Sequence, residues 1–356
     1  MRDLYNRKQT MENLLQKLKR SSISKTNKEL IMSFYNQCIA DGLSIARINK
    51  YLFSLMLLAK MLKKDFNKAK KEDMIKLVAS IEKKEDWSEA TKQHYKVVIK
   101  KFYKWINGGE DYPQEVKWIR TTLKNNNRKL PSEILTEDEI YRMVKAADNS
   151  RDKALILVLY ESGCRIGEIL NLKIKDISFD EYGCVLIVNG KTGERRVRLV
   201  KGHGACEALK IWLNSHPFKD DKEAYVWLSL STNSRFEPIG YRGVYKMLAD
   251  IGKKCGITKP LNPHNFRHTR ATHLANALTE AQMKELFGWT QGSKMASIYV
   301  HLSGRDVDKA LIEKFGSVEI KKEREKLHTA LNKWADENPE LYRGLIEFLE
   351  KALRES

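Results

Sequence analysis

Cysteine is scarce in this sequence, and the few cysteines are widely separated. No two of them form a Cys-x-x-Cys pair, and their number is odd. We therefore expect reduced thiols, with no disulfide and no zinc site. The five cysteines are Cys38, Cys164, Cys184, Cys206 and Cys255.

Long apolar runs are absent as well. The longest, residues 51–59, is about half the length that a bilayer crossing requires, and it lies between Lys50 and Lys60. The first residues carry charges with no apolar run behind them, which is not the pattern of a secretory signal. We therefore expect no membrane span and a cytoplasmic location.

Acidic residues are fewer than basic residues. The chain has 65 Lys and Arg against 46 Asp and Glu, which gives a formal charge of +19. Residues 1–132 hold 29 basic and 14 acidic residues, residues 133–316 hold 28 and 23, and residues 317–356 hold 8 and 9. This excess favours a polyanionic partner, DNA or RNA rather than an anionic membrane surface. A lysine-rich surface that only maintains solubility is the alternative.

Glycine and proline are nearly missing from the first third of the chain. The first 106 residues contain one glycine, Gly42, and no proline, while apolar residues recur at helical spacing. This pattern predicts a helical bundle, in which Ser88 caps the last helix. The predicted helices span residues 24–38, 44–63, 71–83 and 88–106.

Two groups of basic side chains are candidates for contact with DNA. One repeats every four residues along the last predicted helix, on a face that either binds DNA or is merely solvated. The other lies in a polar stretch that follows Gly108, Gly109 and Pro113 and is typical of a linker. The first group is Lys92, Lys96 and Lys100, and the second is Lys124, Arg128 and Lys129.

The rest of the chain predicts a second domain of mixed structure. Residues 136–139 have the form of a capping box, and residues 151–161 are apolar on almost every side, as in a buried helix. A short apolar run at 184–188 and alternating residues at 196–199 flank a glycine-rich turn, which predicts a β-hairpin. Residues 225–228 are a candidate third strand.

We therefore expect a mainly α protein with a small antiparallel β-sheet. Apolar residues at helical spacing also predict two short amphipathic helices in the tail. The predicted division is an N-terminal extension (1–19), a helical DNA-binding domain (20–110), a basic linker (111–132), a second domain (133–316) and a C-terminal helical extension (317–356).

Four places in the second domain carry groups suited to a phosphodiester. In the first, Arg165 follows Gly163 at the predicted start of a helix, with Glu168 three residues later. In the second, Lys191 stands near two glycines at the tip of the hairpin, where a long amine can reach another molecule. By itself each motif is commonplace, and a merely solvated lysine is the ordinary alternative.

The other two places lie further along the chain. His264 and Arg267 face the same way on a helix and can address one phosphate, with His268 on the same side. Trp289 is followed ten residues later by Tyr299, whose phenol can attack phosphorus if a base or a positive field helps to remove its proton. Taken singly, a capping histidine, a surface arginine and a packed tyrosine are the alternatives.

Taken together and in this order along the chain, the motifs resemble those of the tyrosine recombinase (phage integrase) family. In that family an arginine, a hairpin lysine, a His-x-x-Arg box, a histidine or tryptophan and a C-terminal tyrosine form the active site. The matching residues here are Arg165, Lys191, His264, Arg267, Trp289 and Tyr299. The resemblance covers roughly residues 136–316 by motif and 20–106 by type. It implies an all-α SAM-like core-binding domain and a mixed α/β catalytic domain.

The resemblance also implies a reaction on DNA. Tyr299 attacks the scissile phosphate to form a 3′-phosphotyrosyl bond and release a 5′-hydroxyl, while Arg165 and Arg267 hold the non-bridging oxygens. Because the covalent bond keeps the energy of the phosphodiester, neither ATP nor a metal ion is needed, and we expect no cofactor and no metal site. Strand exchange follows when another 5′-hydroxyl attacks.

The remaining residues take assisting roles in this reaction. Lys191 is the expected general acid toward the leaving oxygen, and His264 assists proton transfer at the tyrosine. Glu168 and His268 are expected to support their neighbours. Many family members have histidine where this chain has Trp289, whose indole donates a hydrogen bond but cannot shuttle a proton.

The resemblance further implies partners and a biological role. We expect duplex recombination sites, a homotetramer on DNA and an accessory directionality factor as partners, with the C-terminal extension docking on a neighbouring protomer or packing within its own chain. Residues 288–295 and the tail resemble archaeal virus or plasmid integrases, which favours integration or excision of a mobile element. The alternatives are Xer-like dimer resolution, type IB topoisomerase-like nicking and religation, and a catalytically dead DNA-binding regulator.

Overall fold

Helices dominate the structure, and one small antiparallel sheet completes it, as the sequence predicts. The computed structural model describes residues 2–122, 133–190 and 192–302, together with positions 333, 334, 338, 339 and 342. The predictions for Lys124, Arg128, Lys129 and Lys191, and most of the 317–356 extension, therefore lie outside the described residues. Within the described part, no helix is long and apolar enough to cross a membrane.

Six α-helices within residues 2–122 surround one apolar core. Phe34, Leu58 and Phe102 lie at its centre and are almost fully buried. Ser88 caps the fifth helix as predicted, because its hydroxyl accepts from the Thr91 amide at 3.2 Å. The helices are α1 (Arg7–Arg20), α2 (Lys25–Ala40), α3 (Ile45–Leu62), α4 (Lys71–Glu82), α5 (Glu89–Ile106) and α6 (Gln114–Lys117).

The first helix, α1, falls in the segment expected to be an extension. Its Leu18 is 1% exposed, and Met11, Leu14 and Leu15 pack against the same core. The amide of Asn49 in α3 donates to the Arg7 carbonyl at 2.9 Å and fixes the start of α1. In the structure, α1 is therefore part of the helical bundle.

Eight further helices lie in the described residues from 133 onward. Thr136 and Glu139 form the predicted capping box at the first of them, each side chain accepting from the other's amide. The second helix is buried on all sides, as its composition predicts. The helices are α7 (Glu137–Ala146), α8 (Ser150–Ser162), α9 (Ile166–Ile169), α10 (Ala205–Asn214), α11 (Tyr241–Lys254), α12 (Pro263–Leu274), α13 (Glu280–Phe287) and α14 (Met295–Leu302).

The sheet has three antiparallel strands in the order β1-β2-β3, with β1 at Ile177–Asp180, β2 at Gly183–Gly190 and β3 at Gly193–Val200. The predicted β2–β3 hairpin is confirmed, and its ladder runs to the pair of Gly190 with Gly193. Residues 191 and 192 therefore connect the two strands.

The expected third strand at residues 225–228 is wrong. Tyr225 and Leu228 make isolated bridges outside the three-stranded sheet. The third position belongs to β1 because a short connection after Asp180 folds the chain directly back beside β2.

Helices α12, α13 and α14 share a separate small core at the edge of the main one. Its buried members are Ala271, Ala275, Met283, Phe287, Ala296 and Tyr299. This packing brings the predicted His-x-x-Arg segment, the Trp289 turn and the Tyr299 helix together.

Candidate active site

The turn that carries Arg165 depends on Gly163. This glycine ends α8 with φ of 56°, and a Cβ there would collide with Cε1 of the buried Phe287 ring, so the position favours glycine. Arg165 follows at the start of α9 with its side chain one-third exposed. Its guanidinium donates to Oε1 of Glu168 at 2.9 Å and to the Gly288 carbonyl at 3.0 Å. These contacts hold one edge of the guanidinium and leave part of it open.

Arg267 comes from α12 and meets the same turn from the other side. It is 4% exposed and donates to the Gly163 carbonyl at 2.9 Å and the Phe287 carbonyl at 2.6 Å. Burial, with the charge of Arg165 nearby, lowers the pKa of Arg267 to about 10. The arginine stays charged at neutral pH, and a bound anion would relieve the unfavourable environment.

Glu168 is the carboxylate that balances this cluster. It is buried and accepts from Arg165 at Oε1 and from Arg195 at Oε2, the latter at 2.7 Å. Burial alone would raise the pKa of Glu168, but Arg195 and Arg165 outweigh that effect and hold it below its usual value. Together with Arg267, three guanidinium groups surround one carboxylate. Their two excess positive charges suit a phosphate.

Tyr299 lies beside this cluster in α14. It is 4% exposed, and its ring stacks on Trp289 with centroids 5.6 Å apart and planes within 5°. Its hydroxyl forms a hydrogen bond with Nδ1 of His268. Burial raises the pKa of Tyr299 to about 12, although the charge of Arg267 opposes the rise. The phenol therefore needs a base in order to ionise at neutral pH.

The two histidines of α12 occupy different surroundings. His264 is exposed, whereas His268 lies one turn deeper, with the two ring centroids 4.5 Å apart. Trp289 follows Gly288, a residue with φ of 57°, and stacks on Phe287 on one side and Tyr299 on the other. The indole therefore acts as packing for the tyrosine in this structure.

A cleft of about 830 Å³ opens in front of Arg165 and His264. Residues 2–5, 7 and 8 also line the cleft, and Leu4 packs against the core formed by the residues from 133 onward. Tyr5 stacks on Tyr241 with centroids 5.2 Å apart. The N-terminal segment thus lies across the mouth of the candidate site.

The predicted DNA-contacting lysines of α5 all have partners within the protein. Lys92 pairs with Glu89 at 3.1 Å, Lys96 with Glu82 at 2.7 Å, and Lys100 donates to the Ile119 carbonyl at 3.2 Å. A DNA phosphate would have to compete with these partners. Their role in DNA binding stays a prediction.

No metal centre is found in the described part of the chain. Among residues 2–122, 133–190 and 192–302, no group of three or more His, Cys, Asp or Glu side chains is placed to hold an ion.

Arg195 in β3 belongs to the site, and the sequence reasoning missed it. Its Nε donates to the Leu286 carbonyl at 3.1 Å, and its Nη1 is buried without a hydrogen-bond partner in the described residues. Thr192 in the hairpin connection also donates to the Gly288 carbonyl at 3.2 Å. An arginine at an inward position of a half-buried strand is the signal that could have revealed Arg195.

Comparison with known proteins places this geometry in a family. Residues 133–305 match the model of the phage integrase family. Tyrosine recombinase XerC of Bacillus subtilis (strain 168) is 30% identical over 214 residues, which cover 58% of this chain and 68% of that protein. The chain belongs to the tyrosine recombinase family.

Other tyrosine recombinases match over shorter portions. XerD of Bifidobacterium longum is 32% identical over 184 residues, covering 48% of this chain and 58% of the relative. XerA of Pyrococcus horikoshii is 31% identical over 192 residues, covering 53% and 64%. The chain thus spans less than two thirds of the length of these two relatives.

Solved tyrosine recombinases share the fold. A XerH site-specific recombinase bound to difH substrate superposes with a TM-score of 0.59 at 20% identity, covering 85% of this chain and 94% of that one. A lambda integrase dimer bound to a COC′ core site gives 0.61 at 17% identity, covering 76% of each. At this identity the likeness establishes the mainly α architecture with its small sheet.

Proposed function

We propose that this tyrosine recombinase cleaves and rejoins duplex DNA at specific sites through a 3′-phosphotyrosyl intermediate. One observation carries the proposal: Arg165 and Arg267 are anchored on the carbonyls of one pair of turns, beside a buried tyrosine. Two rigid guanidinium groups suit the non-bridging oxygens of one phosphate, where negative charge develops during attack. Tyr299 is the proposed nucleophile.

The reaction has two matched steps. In cleavage, the Tyr299 oxygen bonds to phosphorus and the bond to the 5′-oxygen breaks, so that a proton must leave the tyrosine and another must reach the leaving oxygen. In rejoining, a 5′-hydroxyl attacks the phosphotyrosyl bond and releases the tyrosine. We assign Lys191 as donor to the leaving oxygen and His264 to the phosphate-facing side of the cleft, where it lies with Arg165.

The proposed role of Glu168 is positional. Its carboxylate bonds to Arg165 on one side and Arg195 on the other, so it sets the direction of the first guanidinium and fixes the base of the hairpin. Because the hairpin carries Lys191, one buried group would align the clamp and the proton donor. This follows the general rule that groups behind the reacting ones fix their geometry.

Duplex recombination sites are the proposed substrate, and a homotetramer on DNA is the proposed assembly. The solved relatives named above are recombinases bound to a DNA substrate or core site, and one of them is a dimer. The basic N-terminal third of this chain supplies the charge for such a partner. An accessory directionality factor is a further proposed partner.

Integration or excision of a mobile element is the finer role that we propose. Its support is the resemblance of residues 288–295 to archaeal virus and plasmid integrases. Dimer resolution is the second candidate, because the relatives with the stated identities carry Xer names. Sequencing the DNA around the gene separates the two, since an integrase predicts a direct repeat of its attachment site on both sides of an element.

The test of the proposed function is capture of the covalent intermediate. Nicked suicide duplexes that tile the whole replicon carrying the gene, beginning with its flanking DNA, are incubated with the full chain and examined on denaturing gels. We expect a protein–DNA adduct with the wild-type protein and with Tyr182→Phe, an exposed tyrosine in the β1–β2 connection, and none with Tyr299→Phe. An adduct that persists in Tyr299→Phe contradicts the nucleophile, and no adduct with any duplex contradicts the function.

A further inference from the structure

The hydroxyl of Tyr299 has a specific partner within the protein. The family resemblance suggests His264 for proton transfer at the tyrosine, but the hydrogen bond is made to Nδ1 of His268. The two histidines are four residues apart on one face of α12, and His268 occupies the deeper position beside α14. With Nδ1 unprotonated, the tyrosine hydroxyl donates directly to it.

The surroundings of the phenol make such a partner necessary. Tyr299 is 4% exposed and covered by Trp289, so bulk water has little access to its proton. With a pKa raised to about 12, about one phenol in 10⁵ is ionised at pH 7. A phenol in this state attacks phosphorus slowly unless a base removes its proton as the bond forms.

The carboxylate of the arginine cluster is committed elsewhere, because Glu168 accepts from Arg165 and Arg195. Arg267 acts on Tyr299 through its charge, which stabilises a phenolate, but a guanidinium cannot take the phenolic proton.

We propose that His268 is the catalytic base that accepts the phenolic proton of Tyr299 during cleavage and returns it during rejoining. This inference rests on the proposed function and adds the identity of the proton acceptor. In cleavage, the proton passes to Nδ1 as the Tyr299 oxygen bonds to phosphorus and the 5′-oxygen leaves with a proton from a separate donor. In rejoining, the 5′-hydroxyl returns its proton to that donor as its oxygen bonds to phosphorus, and the tyrosine oxygen leaves phosphorus and regains the proton from Nδ1, so protons and bonds balance over the cycle.

The two histidines of α12 then have different roles, one at the phosphate and one at the nucleophile. His264 lines the cleft with Arg165, on the side where a phosphate would lie, whereas His268 contacts the nucleophile. His268 packs against His264 on its own helix and against Tyr299 on α14, and Arg267 acts on the same tyrosine. Loss of the two histidines should therefore have different pH signatures.

The test is the single-turnover rate of adduct formation on the suicide duplex, measured from pH 6.5 to 9.5. His268→Asn keeps a polar group near Nδ1 but cannot take a proton. We expect it to cleave about 100 to 1000 times more slowly than wild type at pH 7, with the wild-type-to-variant ratio falling steadily as pH rises. The ratio cancels other titrations, and it falls because hydroxide ion increasingly replaces the missing base.

Two controls isolate the effect. His273→Asn alters a histidine on the same helix whose Nδ1 also bonds a tyrosine, Tyr160, at 2.9 Å, and it should cleave within about threefold of wild type. His264→Asn should lose rate by the same factor at every pH. Thermal unfolding of each variant verifies that the chain is folded.

The outcomes separate this inference from the proposed function. If wild type forms an adduct and His268→Asn cleaves at the wild-type rate, or loses rate equally at all pH values, His268 is not the base while the recombinase function stands. If the pH-dependent rescue appears in His264→Asn instead, the proton acceptor is His264. If wild type forms no adduct with any duplex, the function itself fails.

Discussion

Replacement of Glu168 by glutamine should destabilise the catalytic half of the protein. The carboxylate accepts three hydrogen bonds, from the amide and guanidinium of Arg165 and from Arg195. A glutamine has one acceptor oxygen, so its NH₂ would face a donor, and three guanidinium groups would lose their shared negative charge. Breaking a buried ion pair from one side costs about 3–5 kcal/mol, and the partial exposure of Arg165 reduces this to about 3 kcal/mol. That corresponds to a fall in Tm of about 6–12 °C for a domain of this size.

Thermal unfolding of Glu168→Gln, followed by circular dichroism at pH 7.5, measures the effect. Because the folded pKa of Glu168 is lowered, its contribution is fully present above its unfolded value of about 4.5 and is lost as pH falls through the folded value. The Tm difference should therefore narrow in acid. Glu194→Gln is the matched control, since this glutamate is exposed on the same hairpin and should leave Tm unchanged. A Tm of Glu168→Gln within about 1 °C of wild type at pH 7.5 would show that the carboxylate does not stabilise the arginine cluster.

Two further predictions concern the same turns. Arg195→Lys keeps the charge beside Glu168 but loses the hydrogen bond to the Leu286 carbonyl. Adduct formation should therefore slow about 10- to 100-fold, while DNA affinity changes less than about threefold. Equal cleavage rates of variant and wild type in single-turnover assays would show that Arg195 does not position the site. Gly163→Ala places a methyl group at a left-handed φ of 56° and against the ring of Phe287. It should lower the free energy of unfolding by about 2–5 kcal/mol in denaturant unfolding. An unchanged denaturation midpoint would show that this turn does not require glycine.

Local signals explain which parts of the fold were predictable. The caps at Ser88 and Thr136, the all-apolar α8 and the β2–β3 hairpin each depend on neighbouring residues, and the structure confirms them. The third strand was mispredicted because residues 225–228 have strand-like composition, whereas strand partners are set by chain connectivity. β1 pairs with β2 through a short turn that we did not predict from the sequence.

In the candidate site, too, features that depend on neighbouring residues were predictable and contacts between distant elements were not. The spacing of His264, Arg267 and His268 indicates a common helix face, and the fold places them on one. The pairing of His268 with Tyr299 spans 31 residues and follows from how α12 packs on α14, which no local pattern encodes. The role of Arg195 was not predictable from the sequence for the same reason, because its partners Glu168 and Leu286 come from other elements.

In the proposed intermediate, Tyr299 is joined to the 3′ phosphate of the cleaved DNA strand. The most direct measurement is mass spectrometry of the trapped adduct after digestion with trypsin and nuclease, together with end-labelling of the released strand. We expect a nucleotide on the peptide spanning residues 295–305, in which Tyr299 is the sole tyrosine, and a free 5′-hydroxyl on the released strand. A nucleotide on any other peptide, or a protein joined to the 5′ end, would contradict it.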